Sequence, residues 1–297
     1  MLSRFSPALI VHHAAHAAKL DQLDAFGVLC NIWTMRTLAE KLGMTFVVLV
    51  LALSSACAVV PGSGRMQLNM ISPGEERRMG RESFAEIKQR VPISKDANAT
   101  AMVQRVGSRV AEVADLPNAQ WEFVLFQSKE PNAFCLPGGK VGVNTGMLPI
   151  AKDEAGLATV MAHEVAHAVA HHGAERMTEQ ILMQGIAVAV FSSLTDMDDK
   201  TRLLLFTAYG LGSTFGRILP HSRLQESEAD NIGLIYMARA GYDPEQAIEF
   251  WKRFSEFKRK KGGARTPAFF STHPVDEQRI ENLKRLMPKA KLQYRPR

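Results

Sequence analysis

A chain of 297 residues with 46% hydrophobic and 22% charged side chains can bury a sizeable core, which excludes wholesale disorder. Its net charge of +6 comes without finger-type cysteine spacing or a basic motif interleaved with aromatics, so no nucleic-acid partner is expected. The three cysteines, Cys30, Cys57 and Cys135, are too few and too scattered for a disulfide framework or a cysteine metal site, which leaves histidine and carboxylate to ligate any metal.

The N-terminal region reads as an address. Residues 44–56, MTFVVLVLALSSA, are apolar but too short to span a bilayer comfortably, and Arg36 and Lys41 precede them, the layout of a secretory signal over 35–56. Because Met35 opens a conventional charged region, residues 1–34 are expected to be an extension foreign to the natural product. The apolar stretch ends in Leu53-Ser54-Ser55-Ala56-Cys57, which resembles a bacterial lipobox except at Ser54, where a larger aliphatic residue is usual. Cys57 is therefore the expected lipidation site. A lipid anchor there would tie the chain to a membrane as a periplasm-facing lipoprotein of the bacterial cell envelope, at the outer membrane.

Residues 57–71 carry Pro and Gly without periodicity and read as a linker or an ordered arm. One folded domain is expected over 72–297. Ser72-Pro73-Gly74-Glu75-Glu76 opens a helix to about Arg90, with an N-cap, a proline at the first helical position and acids in the first turn. A second helix is expected over 98–113. Strands follow at 121–127, WEFVLFQ, and at 140–144, KVGVN, the latter after a Pro137-Gly138-Gly139 turn. Apolar residues at 157, 160, 161, 165, 168 and 169 predict a helix over 153–172 that stops at Gly173. The apolar stretches 181–194 and 203–219 are expected to be core or interfacial helices rather than membrane spans. Helices over 222–240 and 243–258 complete an α+β, predominantly helical fold, and the basic residues 252–265 read as a solvated helix end.

The chemistry is concentrated in His163-Glu164-Val165-Ala166-His167. Two histidines four apart project from one helix face and can share a metal ion, while the adjacent Glu164 can take a proton from an activated water and pass it to a leaving amine. A third ligand is available in Glu226-Ser227-Glu228-Ala229-Asp230. Glu226 and Asp230 share a face, so one binds the metal while the other accepts the N–H of a liganding histidine; Glu228 ranks below Glu226 as a ligand. Three protein ligands leave a fourth position open, the arrangement of a catalytic site. His273, in a proline-containing loop, is a candidate to fill that position and hold the enzyme latent. His221, and with it Arg223, is a candidate oxyanion donor. His171 and His172 are given no catalytic part.

The string HEVAH, together with Asn132-Ala133-Phe134, Pro137-Gly138-Gly139, Val143-Asn144-Thr145-Gly146, Ser222-Arg223 before ESEAD, and Ser271-Thr272-His273-Pro274, resembles peptidase family M48 over most of the chain from about Ser72. Cys135 stands where that pattern has a small or aliphatic residue. The resemblance, nearest to short lipoprotein-type members, implies a zincin-like gluzincin fold whose small sheet lays its edge strand beside the active-site helix. It implies one Zn2+ per chain held by His163, His167 and Glu226, Glu164 as general base and Asp230 in support. It also implies that Val141, Gly142, Val143 and Asn144 form the edge strand to which an extended substrate adds by main-chain hydrogen bonds. The expected activity is endopeptidase cleavage of unfolded or misassembled envelope proteins. The alternatives are a non-cleaving chaperone or scaffold lipoprotein and an integral membrane protease.

Overall fold

The computed structural model describes residues 57–193, 197–213, 219–260 and 277–296, with Met44, Phe269 and His273. The expected extension 1–34 and the signal 35–56, Met44 apart, lie outside the described residues. Residues 57–71 take the ordered-arm alternative: β1 (Cys57–Val59) pairs with β2 (Met66–Leu68), and Val60 between them is fully buried. Helix α1 (Pro73–Arg90) starts as its composition dictates, the Ser72 hydroxyl accepting a hydrogen bond from the Glu75 N–H at 3.2 Å. Helix α2 (Ala97–Ala111) is capped in the same way by Asp96.

Three strands follow, β3 (Glu122–Phe126), β4 (Ala133–Leu136) and β5 (Lys140–Asn144), in the spatial order β3-β5-β4. The Pro137-Gly138-Gly139 turn, with both glycines at φ +82°, folds β4 back antiparallel onto β5, while β3 pairs parallel to β5 on its other side. This corrects the expectation that Val141 to Asn144 is the edge strand. Both edges of β5 are already hydrogen-bonded, so no substrate strand can add there. The outer strands are β3 and β4, and it is β4, too short for its period to register, that packs along the helix carrying HEVAH.

That helix, α4 (Glu154–Val169), is capped by Asp153 and buried at every residue from Gly156 to Val169. It rises through a 3-10 turn (Thr145–Met147) and a short helix α3 (Leu148–Ala151) from the end of β5. It stops before the predicted Gly173, because His171 takes a left-handed conformation (φ 54°) and the chain turns into α5 (His172–Ser193). The imidazole Nδ1 of His171 lies 2.8 Å from Oε2 of the buried Glu76 on α1, which pins the reversal.

Helix α5 pairs with α6 (Asp199–Ser213) through Phe191, Phe206 and Tyr209, the tyrosine hydroxyl donating to the Met183 carbonyl at 2.9 Å. These are not core helices. Ile181, Ile186, Val188, Leu203, Leu204 and Phe206 are all exposed, and among the described residues no helix is long and apolar enough to cross a membrane. Helix α7 (Leu219–Arg239) returns to lie along α4, followed by α8 (Glu245–Lys260) and α9 (Glu277–Lys291), the last not foreseen in the sequence. At the α4–α7 crossing a Cβ on Gly233 would lie 3.0 Å from the backbone of His163, so glycine sets the approach. The surrounding core draws on Val160, Met161, Val165, Met237, Phe250, Trp251 and Phe254.

The pair with Glu76 raises the pKa of His171 above its ordinary value. Its stabilisation is therefore complete below the unfolded-state pKa of about 6.5 and is lost as pH rises through the higher folded value. Glu76→Gln is expected to lower stability more at pH 6 than at pH 9 in urea unfolding. A loss that is equal at both, or larger at pH 9, contradicts the pairing.

Candidate metal centre

His163 and His167 sit one turn apart on the face of α4 turned towards α7, and their Nε2 atoms are 3.2 Å apart. Glu226 enters from α7 with Oε2 3.3 Å from His163 Nε2 and Oε1 3.2 Å from His167 Nε2. His273 completes the cluster, its Nδ1 3.2 Å from His163 Nε2 and 2.9 Å from Glu226 Oε2. These four buried residues offer donor atoms all within 4.8 Å of one another, a group that can hold a metal ion.

The charges around the cluster are arranged for a cation. Burial opposes ionisation of Glu226, yet hydrogen bonds from His163, His167 and His273 hold its carboxyl far below the usual range. Burial keeps His167 well below its ordinary value, the neutral form a ligand needs. In His163, burial and the Arg279 charge push down, but hydrogen bonds to Asp230 and Glu226 prevail and lift it to about 9.

Asp230, one turn beyond Glu226, has Oδ1 3.0 Å from His163 Nδ1. That carboxylate accepts the Nδ1–H and so leaves Nε2 facing the cluster. Asp230 is in turn clamped by Arg279 of α9, whose Nε and Nη2 donate to its two oxygens at 2.8 and 2.6 Å. The guanidinium lies 3.5 Å above the Trp251 ring and has Nη1 3.4 Å from Glu226. Sequence reasoning missed Arg279, although a signal existed. It falls on the buried stripe of α9 with Leu283, Met287 and Ala290, where a charge demands a buried partner.

Glu164 is buried, and its Oε1 makes no hydrogen bond; His273 Nε2 stands 3.4 Å from it. Burial raises its pKa, while the charges of His273 and His163 pull the other way. A buried carboxylate with a free oxygen and a raised pKa is poised to take up and return a proton. It faces a cleft of about 340 Å³ whose other wall is Ala133, Phe134, Cys135 and Leu136 of β4, with His167 and His273 at the floor. Other candidates fall elsewhere. Arg223 is exposed beside a smaller cavity behind Glu226 and does not join the donor set. The side chain of His221 lies outside the described residues, and Glu228 turns away from the donors towards His172, a residue that sequence reasoning set aside.

Two histidines and a glutamate on one buried helix, a carboxylate from a second, and a strand-walled cleft make up a site that can hold a metal ion, the arrangement of a metallopeptidase. The profile of peptidase family M48 matches residues 97–287, and the chain belongs to that family; it is a metalloprotease. Mitochondrial metalloendopeptidase OMA1 of Schizosaccharomyces pombe is 36% identical to it over 236 residues, covering 78% of this chain and 67% of the relative. The same-named protein of Saccharomyces cerevisiae is 37% identical over 179 residues, covering 59% and 49%. The beta-barrel assembly-enhancing protease of Escherichia coli is 26% identical over 238 residues, covering 77% and 47%, so the chain spans about half the length of these last two. The OMA1 relatives of yeasts, Arabidopsis thaliana and Bos taurus overturn the expectation of a bacterial outer-membrane lipoprotein. The lipobox assignment of Cys57 loses its ground with it.

Arg279→Met would leave two buried carboxylates without their shared cation. It is expected to destabilise the protein by about 3–5 kcal/mol in denaturant unfolding with chelator present. A change below about 1 kcal/mol would show that other groups balance Asp230 and Glu226.

Proposed function

We propose that this protein is a zinc-dependent endopeptidase acting on unfolded or misassembled proteins. The observation that carries this is the convergence of His163 Nε2, His167 Nε2 and Glu226 beside the unpartnered Oε1 of Glu164, at the floor of the cleft. Zinc bound by nitrogen at about 2.0–2.1 Å with tetrahedral angles puts neighbouring ligand atoms about 3.3 Å apart. The observed spacings of 3.2 and 3.3 Å fit that ion, as does a donor set of two imidazoles and a carboxylate without thiolate. When bound, zinc supplies a Lewis acid that polarises the scissile carbonyl and makes water acidic enough to attack near neutral pH.

The protein's own residues do the rest. Glu164 removes a proton from the attacking water and delivers it to the amine nitrogen as the peptide C–N bond breaks, returning to its carboxylate form. The outer edge of β4 suits a substrate held as an added strand. Main-chain pairing reads shape rather than sequence, and a segment must be unfolded to supply it. The name of the beta-barrel assembly-enhancing protease is in keeping with substrates that are not yet assembled, and the mitochondrial names of the OMA1 relatives support a mitochondrion rather than a bacterial envelope.

In a cleavage assay on a denatured protein, Glu164→Gln and chelator treatment should each abolish at least 99% of the activity, the scale of a lost general base, with one zinc per purified chain. Equal cleavage in all samples would leave the site without a catalytic role and favour the non-cleaving alternative. His273 is proposed to hold the enzyme latent, since its Nδ1 lies 3.2 Å from His163 Nε2 and 2.9 Å from Glu226 Oε2, near enough to the other three donors to serve as a fourth ligand. His273→Ala is accordingly expected to raise the rate of cleavage several-fold. Unchanged or lower activity would remove the latency assignment and leave His273 a structural or substrate-side residue.

A further inference from the structure

His167 Nε2 belongs to the donor cluster, so its ring has one nitrogen left, and that nitrogen faces not solvent but another imidazole. His172 Nδ1 lies 2.8 Å from His167 Nδ1, and His172 has no exposed surface. For Nε2 of His167 to offer its lone pair to a metal, the ring proton must sit on Nδ1, and so Nδ1 of His172 must accept it. The proton of His172 is then on Nε2, where it donates to Glu228 Oε2 at 3.1 Å. Glu228 is fixed in turn. Arg65 donates to its two oxygens from Nε and Nη2 at 2.9 and 3.0 Å, and the Ser63 hydroxyl donates at 2.7 Å. Arg65 also grips Glu175 of α5 at 2.6 and 2.8 Å, and Gln225 of α7 donates to that same carboxylate at 2.7 Å.

We propose that Glu228, His172 and Arg65 form a relay that orients the metal ligand His167 and strengthens its grip on the ion; this rests on the zinc assignment above. His172 is a positioning residue, not a catalytic one. The two histidine ligands are thereby set by different devices, His163 by a carboxylate directly and His167 by a carboxylate acting through a neutral imidazole. The Glu228 charge polarises the His172 N–H, which makes Nδ1 a better acceptor, which in turn makes His167 Nε2 a better donor to metal. The far end of the relay is the β1–β2 arm, which sequence composition leaves open between a linker and an ordered arm. The arm therefore holds part of the metal site although it comes no nearer than two side chains.

The test uses the full chain with Glu164→Gln, which leaves all proposed ligands in place and prevents self-cleavage. Zinc affinity is measured by competition with a chelator. His172→Phe is expected to weaken zinc binding 10- to 100-fold, the usual consequence of losing such support. His172→Asn, which keeps an oxygen acceptor for the His167 N–H, should recover most of the loss, and Arg65→Gln should show a smaller one. In the zinc-loaded parent, 15N imidazole spectra should place the His172 proton on Nε2 and that of His167 on Nδ1. The proposal is overturned if His172→Phe binds zinc within twofold of the parent, or if the His172 proton is on Nδ1. The spectra decide the matter even where a variant does not fold. A parent that binds no zinc is a separate result, which removes the zinc assignment itself.

Discussion

Helix α4 is buried along 14 consecutive residues, yet it carries two histidines and a glutamate. Such a helix is stable only if another element brings complementary polar groups to the same place, close enough to replace the water that was lost. Helix α7 does this because Gly233 lets the two backbones approach at His163, which brings Glu226 within reach of both rings and Asp230 within hydrogen-bonding range of His163. Packing distance and site geometry are thus one constraint. A bulkier residue at the crossing would part the helices and separate the ligands together.

The same closeness creates an electrostatic problem that α9 resolves. Glu226 and Asp230 stand on one helix face in a buried setting, and Arg279 supplies the compensating charge while stacking on Trp251 of α8. The guanidinium suits this place because its planar fork serves a carboxylate and its face serves an aromatic ring at once, which an ammonium cannot do. On the opposite flank the excess charge of Glu175 and Glu228 meets Arg65. Each side of the centre therefore closes on an arginine from a segment distant in the chain.

Much of this was legible in the sequence, and what was not has physical reasons. The caps at Ser72 and the apolar spacing through 157–169 are local signals, and they located α1 and α4. The pairing order of the strands is not local: KVGVN reads as a strand whether it lies at an edge or in the middle, and only the unrecognised β4 decides which. The His171 turn escaped because a left-handed imidazole depends on Glu76, nearly a hundred residues away, whereas Gly173 offered a generic stop signal. Of the site, HEVAH and ESEAD were visible as spacings four apart. Arg65, His172 and Arg279 were not, since each owes its role to a partner far along the chain.

That dispersal bears on when the enzyme becomes able to cut. The groups that hold the centre run from Arg65 through His163 and Glu226 to Arg279, so its contacts have high sequence separation. Long-range contacts form late in folding, because the entropy of closing the intervening loops must be overcome first. A growing chain that has reached α4 carries the whole HEVAH string but not the groups that neutralise and orient it. The donor cluster is therefore complete only once the chain has passed residue 273, and its two buried carboxylates meet their arginine only once α9 is made.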